Sequence, residues 1–346
     1  LLHHLYEGNT PDVALFPQMT GALAERYKTL TGKTPEATLV FDKGNVCDDA
    51  MEELVVRGVH FVAALPANRC AHLLATARDQ FHPIASMAGT NSFETIETHW
   101  GKTCRVVVVY TESFFTQQLQ GVTVNLVKCQ KKLQDLAKGV ERWRTGKARG
   151  RKPTVATVKK SAQRIVSQQF MKDLFVIDVS LDQDSGLPRL TYRVDHEALD
   201  RLSRERLGRT VIVTDHTDWD ARRTIEAYRG LSAVEEAFKN MKNVDYLRWR
   251  PAHHWTDQKL RVHALYCVLA LTLSSLARQQ AAQAGVDLTL PALLKELSAI
   301  REVAVIYPKG TLAHRKDHIA LSRMSPRQKK LANILEIGEV LGRSKG

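Results

Sequence analysis

No two of the five cysteines stand at a paired spacing. Cys47, Cys70, Cys104, Cys129 and Cys267 are scattered, so neither a zinc site nor a disulfide frame is expected, and the thiols read as reduced ones in a cytoplasmic protein. Long apolar runs are scarce as well. The best candidate, Ala264 to Leu276, is too short to span a bilayer and reads as a buried helix. The chain does not open on Met, and its first residues, Leu-Leu-His-His, carry neither a basic leader nor a cleavage site. Those residues already look like the end of a strand, which leads to the expectation that the sequence begins inside a domain. Acidic residues are under-represented: 37 Asp and Glu face 50 Lys and Arg among 346 residues, a formal net charge of +13. A surplus of that size points to polyanionic partners, with nucleic acid ahead of a membrane.

The surplus is concentrated. Between Lys128 and Arg164 there are thirteen Lys or Arg, including Lys131, Lys132, Arg149, Arg151 and Lys152, opposed by Asp135 and Glu141 alone. A solvated helical face normally mixes signs, so this stretch, expected to be helical from Leu126 to Gln169, suits contact with a phosphate backbone. Ahead of it, Thr38 to Phe41 reads as a compact strand, a helix follows from Asp48 or Asp49 to about Arg57, and His60 to Leu65 reads as a second buried strand. Strand, helix, strand predicts a parallel βαβ unit in an α/β sheet. Further strands are expected at Val106 to Tyr110, Leu174 to Val179, Arg189 to Val194 and Thr210 to Thr214. The block 67–220 therefore reads as an inserted α+β module, between a first core segment (1–66) and a second (221–280), with a helical tail at 281–346.

Two carboxylates stand out. Asp42 follows the first strand directly, at the C-terminal edge where open α/β sheets place their chemistry. It can hold a divalent cation there or satisfy backbone N–H groups in an Asx turn. Glu235 lies beside the apolar stripe Leu231, Val234, Phe238 and Met241, with Lys239 and Lys242 one and two turns later on nearly the same side. Ser232-Ala-Val-Glu235 also fits a helix capping box. The pairs His3-His4 and His253-His254 lack partners at metal-ligand spacing. Trp249 and Trp255, with arginines nearby, can stack on nucleic acid or be buried.

Four stretches occur in a familiar order: Tyr6-Glu-Gly-Asn-Thr-Pro-Asp12, Leu39-Val-Phe-Asp-Lys-Gly-Asn45, Tyr228-Arg-Gly-Leu-Ser-Ala-Val-Glu-Glu-Ala-Phe-Lys-Asn-Met-Lys242, and Leu247-Arg-Trp-Arg-Pro-Ala-His-His-Trp255. Together they resemble the DDE transposases of bacterial insertion sequences, in the group with a Y…R…E…K motif. The resemblance implies an RNase H-like mixed sheet flanked by helices and interrupted by a β-rich insertion. It implies Mg²⁺ or Mn²⁺ as cofactor, two ions in the complete site, with Asp42 and Glu235 as catalytic metal ligands. Tyr228, Arg229, Lys239, Lys242, Arg248 and Arg250 become DNA-contacting residues, beside the basic run. The motif arginine, expected three residues after the tyrosine, is Leu231 here, and Arg229 is the adjacent basic residue. The group's first aspartate belongs on a strand upstream of Gly8-Asn9; Asp12 sits at a helix start and suits capping, so an N-terminally truncated transposase is expected. The implied partners are transposon-end and target DNA and a second copy of the chain, in the bacterial cytoplasm, at the nucleoid. The rival expectations are a non-catalytic DNA-binding remnant or regulator and an RNase H-like nuclease that cuts without joining.

Overall fold

The structure is a computed structural model that describes residues 6, 10, 12–32, 37–150, 152–183, 185–249, 253–305 and 318–337. The chain divides into two compact units, Pro11–Gly230 and a second built from Leu231–Gly346 with Leu1–Thr10.

The first unit runs α1 (Asp12–Thr31), β1 (Thr38–Phe41), α2 (Asp48–Val56), β2 (His60–Ala64), α3 (Ala71–Leu74), β3 (His82–Pro83), β4 (Thr90–His99), β5 (Lys102–Thr111), α4 (Glu112–Arg144), α5 (Val155–Ile165), α6 (Met171–Leu174), β6 (Phe175–Leu181), β7 (Pro188–Val194), α7 (His196–Glu205), β8 (Arg209–Thr214) and α8 (Ala221–Arg229). Six strands form one sheet in the order β1-β2-β8-β5-β4-β3. The expected βαβ unit is there: β1 and β2 are parallel, with Thr38 opposite His60 and Phe41 opposite Ala63. Every other pairing in the sheet is antiparallel. The molecule is thus mixed α/β, a mixed sheet flanked by helices.

Alternation along the strands sends side chains to both faces, and both are covered. Phe61, Ala63, Val106, Val108, Val211 and Val213 pack under Met51 and Leu54 of α2 and Leu73 and Leu74 of α3. On the other face Val62, Val107, Val109 and Ile212 receive Ala221 and Ile225 of α8. Strands buried on both sides read as near-continuous apolar runs, which is why Val106 to Val109 carries four valines in succession.

The inserted module expected at 67–220 is not a separate body. β4, β5 and β8 complete the main sheet, and only the segment from α4 to α7 builds its own core, around Leu133, Met171, Leu174 and Leu202 with the β6–β7 hairpin. Gly208 marks its return to the sheet. Its φ is +75°, and a Cβ there would come within 2.6 Å of Phe115 Cβ, so the position requires glycine. The boundary expected at 221 falls instead at Gly230, because α8 packs on the sheet. The basic stretch is also divided: α4 ends at Arg144, Gly146 takes a positive φ of 67°, and helix resumes only at Val155, where Thr154 and Thr157 form a capping box.

The second unit contains α9 (Leu231–Met241), α10 (Asp257–Gln283), α11 (Leu290–Ser298), a β9 (Glu302–Val305) and β10 (His318–Leu321) hairpin, and α12 (Pro326–Ile334). Its core gathers Ala281, Val286, Leu293 and Leu331. The expectation that the apolar run Ala264 to Leu276 is buried is corrected. α10 spans 27 residues, is long and apolar enough to cross a membrane by length and composition, and is 11% buried over its most apolar window. Ala264, Cys267 and Ala281 are its buried residues, while Tyr266 and Leu273 are mostly exposed.

Candidate active site

Asp42 occupies the expected place, one residue past β1. Its backbone is extended, and its side chain caps the 3₁₀ turn Lys43–Asn45 by accepting from Lys43 N at 2.8 Å. The Asx-type reading of Asp42 is therefore realised. It engages only one oxygen. Oδ1 takes both that bond and a second from the Tyr228 hydroxyl at 2.9 Å, while Oδ2 accepts no hydrogen bond among the described residues. Asp42 is exposed.

The meeting of Asp42 with Tyr228, 186 residues later, follows from lengths. β8 runs opposite to β2, so it ends at the edge of the sheet where β1 and β2 begin. From there α8, capped by Asp220 accepting from Arg223 N at 2.7 Å, travels back across the sheet. Its nine residues rise about 13.5 Å, and a strand of four residues rises about 13 Å. The helix end consequently draws level with the strand end. Ala221, Thr224 and Ile225 are the residues that α8 buries, and Tyr228 packs at the margin of that core. Arg229, next along, donates to Thr90 Oγ1 at 3.1 Å and reaches the Met87 sulfur at 3.6 Å. Its guanidinium is tied to the sheet, although the residue as a whole is exposed.

In the second unit, Glu235, Lys239 and Lys242 line one open groove with Phe238 and Asn243, so the sequence placed these three charges together correctly. Two features of this helix differ from what its spacing suggests. The stripe is largely uncovered, with Met241 buried but Val234 and Phe238 50% and 52% exposed. The capping box at Ser232 is displaced: α9 begins at Leu231, putting Ser232 inside the first turn and Glu235 beyond it. Arg248 is exposed, in a left-handed conformation (φ 52°), and its guanidinium donates to Val244 O at 2.9 Å. Arg250 and Arg151 lie outside the described residues. Trp249 is half-buried with His263 stacked on it, ring centres 5.9 Å apart, and Trp255 is 96% exposed.

Lys131, Lys132, Arg149 and Lys152 are exposed and enter no ion pair among the described residues. Arg144, by contrast, bonds Asp182 at 2.6 Å and Glu141 at 2.9 Å. The basic stretch therefore contains one structural arginine and a set of uncompensated cations.

A carboxylate with one fixed and one available oxygen suits a hard divalent cation, which takes oxygen ligands and keeps part of its water shell. Asp42 has that donor chemistry, and Glu235 is an exposed carboxylate of the same kind. Sequence reading passed over His60, Asp215 and His216, which meet at the opposite edge of the sheet; residues 155 apart leave no local signal of such a meeting. Comparisons of the chain with protein-family models, with curated proteins and with solved structures found no match.

Proposed function

We propose that this chain belongs to the DNA transposition machinery, as a DDE-type transposase with an RNase H-like sheet that cleaves transposon-end DNA and joins it to a target. The observation that carries the reading is the hydrogen bond between Tyr228 and Asp42. Both belong to the stretches that resemble this group, and they come together at the C-terminal edge of β1 from distant parts of the chain. In the proposal Asp42 and Glu235 are ligands for Mg²⁺ or Mn²⁺, which supplies activation of the attacking oxygen and stabilisation of the leaving one in an in-line displacement at phosphorus. The Tyr228 hydroxyl holds Asp42 so that Oδ2 is offered outward. Lys239 and Lys242 neutralise phosphate beside Glu235, and Lys131, Lys132, Arg149 and Lys152 hold the DNA backbone. Arg229 has a positioning role against Thr90 in place of direct DNA contact. Transposition brings two ends together, so a second copy of the chain is the expected partner in the DNA complex.

The test is cleavage of end-containing DNA in Mg²⁺. Asp42→Asn and Glu235→Gln are each expected to reduce it about 10³-fold, equivalent to about 4 kcal/mol of lost transition-state stabilisation. Full activity in either variant overturns the assignment of that carboxylate.

The uncompensated cations favour a second reading, a DNA-binding regulator without catalysis. It has salt-sensitive binding and no Mg²⁺-dependent cleavage by the wild-type chain. In both readings, replacing Lys131, Lys132, Arg149 and Lys152 by Ala lowers the slope of log K against log salt, by about 0.9 for each phosphate contact removed. An unchanged slope would show that DNA lies elsewhere.

A further inference from the structure

The sheet edge opposite Asp42 gathers a different set of side chains. Val62 lies opposite Thr214 in the β2–β8 ladder, and Thr38 lies opposite His60 in the β1–β2 ladder. The end of β8 and the beginnings of β1 and β2 therefore meet, which brings His60, Asp215 and His216 together. Each offers a ligand atom, and those atoms all lie within 4.8 Å of one another.

We propose that His60, Asp215 and His216 form a binding site for a borderline divalent metal of the zinc class. The chemistry of the donors selects the cation: two imidazoles and one carboxylate suit Zn²⁺, Co²⁺ or Ni²⁺, whereas Mg²⁺ takes oxygen ligands. His60 Nδ1 is 3.0 Å from Asp215 Oδ2. Two ligands on one ion at about 2.0–2.2 Å each stand about 3.0–3.5 Å apart, so this pair is already spaced for coordination. The farthest separation must close by about 1 Å, within reach of a side-chain rotation.

The surroundings hold Asp215 and His216 in place, while the His60 ring, 43% exposed and stacked on His216, is the one that turns to bring both imidazole lone pairs onto one ion. Asp215 Oδ1 accepts from Phe61 N at 2.9 Å, which pins the carboxylate to the start of β2 and leaves Oδ2 for the cluster. The Asp215 side chain is 3% exposed. The His216 ring lies between His60, at 4.2 Å, and Trp219, at 4.0 Å. Its Nε2 is 2.8 Å from Thr38 Oγ1; when Nε2–H donates to that hydroxyl, the lone pair is on Nδ1. A partner on the other ring nitrogen is the usual device for fixing the tautomer of a ligating histidine. Asp218 Oδ1, 3.9 Å from His216 Nδ1, adds negative charge beside the cluster.

One group opposes the ion. Lys102 Nζ is 3.2 Å from Asp215 Oδ2 and neutralises the same oxygen a metal would use. Binding is therefore an exchange of an ammonium for a divalent cation, and Lys102 sets the affinity. This provides a test that ordinary loss-of-ligand variants cannot.

The experiment titrates the untagged full chain with Zn²⁺ by calorimetry and with Co²⁺ by its d–d absorption. One ion per chain is expected. His60→Ala and His216→Ala each weaken binding at least about tenfold, since even the outer partners of metal ligands are worth that much. Lys102→Met tightens it. Thermal unfolding confirms that each variant is folded, and Zn²⁺ raises the melting temperature of the wild-type chain but not of the histidine variants. The readout is uptake and not DNA cleavage, so the result is independent of the proposed Mg²⁺ chemistry. No saturable uptake by the wild-type chain, or uptake insensitive to both histidine substitutions in folded protein, overturns the site.

Discussion

Two amphipathic helices follow each other with only Gly230 between them, and they are covered to different extents. In α8, Ala221, Thr224 and Ile225 are buried on the valines of the sheet. In α9, the apolar positions recur just as regularly, yet Val234 and Phe238 remain about half exposed and only Met241 is buried. Helical spacing tells which residues share a face, while the neighbouring element decides whether that face is covered. The two motif residues inherit the contrast. Tyr228 is anchored at the end of a packed helix with its hydroxyl on Asp42, and Glu235 stands in an open groove.

The largest expected effect tests the covered helix. Ile225→Ala removes a side chain that is 1% exposed and should destabilise the protein by about 2–5 kcal/mol, measured by chemical denaturation. A loss below about 1 kcal/mol would mean that α8 does not depend on the sheet. Next comes Tyr228→Phe, which keeps the ring and deletes one hydrogen bond. Because Asp42 is exposed, the stability cost should stay near or below about 1 kcal/mol, while DNA cleavage falls more than stability does. Equal losses would reduce the bond to a structural tie.

Phe238→Ala sharpens the contrast from the other side. Half of that side chain already meets solvent, so the cost should be below about 1 kcal/mol in the free protein. A larger loss, or one that appears only when DNA is bound, would show that α9 is covered in solution. The smallest effect concerns acid. Arg69, with Trp100, holds the Asp48 carboxyl down to about 2. A carboxyl depressed below its usual value contributes stability that is complete above about pH 4 and is lost as pH falls towards 2. Arg69→Ala should raise Asp48 towards the ordinary range, with the Trp100 bond still holding it partly down, read by NMR titration, and flatten that part of the acid profile. An unmoved Asp48 would contradict the Arg69 assignment.

Local features of the fold were legible where the physics is local. The run Thr38 to Phe41 followed by Asp42 and the parallel partner at His60 depend on nearby residues. The place of β4, β5 and β8 in the main sheet was not legible. Arg105 pairs opposite Thr214 across more than a hundred residues, and alternation gives no clue to a strand's partner. Charge density along 128–164 was clear in the sequence, whereas the break after Arg144 needed weight on Gly146, Gly150 and Pro153 that the basic pattern obscured. The candidate site was read in halves. Asp42 at the strand end and the Glu235, Lys239, Lys242 group on one side of a helix stand out from local spacing; the bond from Tyr228 and the tie of Arg229 to Thr90 depend on α8 crossing the sheet, which no spacing reveals.

The side of β1 that faces away from β2 has a consequence in time. Neighbouring residues of a strand direct their backbone N–H groups to opposite sides, so Thr38, Leu39 and Val40 divide between a side bonded to β2 and a side facing away from it. Hydrogen exchange along this short segment should therefore alternate, slow on one residue and fast on the next. Any strand that joins β1 on that side would erase the alternation, which makes these amides a clock for what else pairs with the sheet.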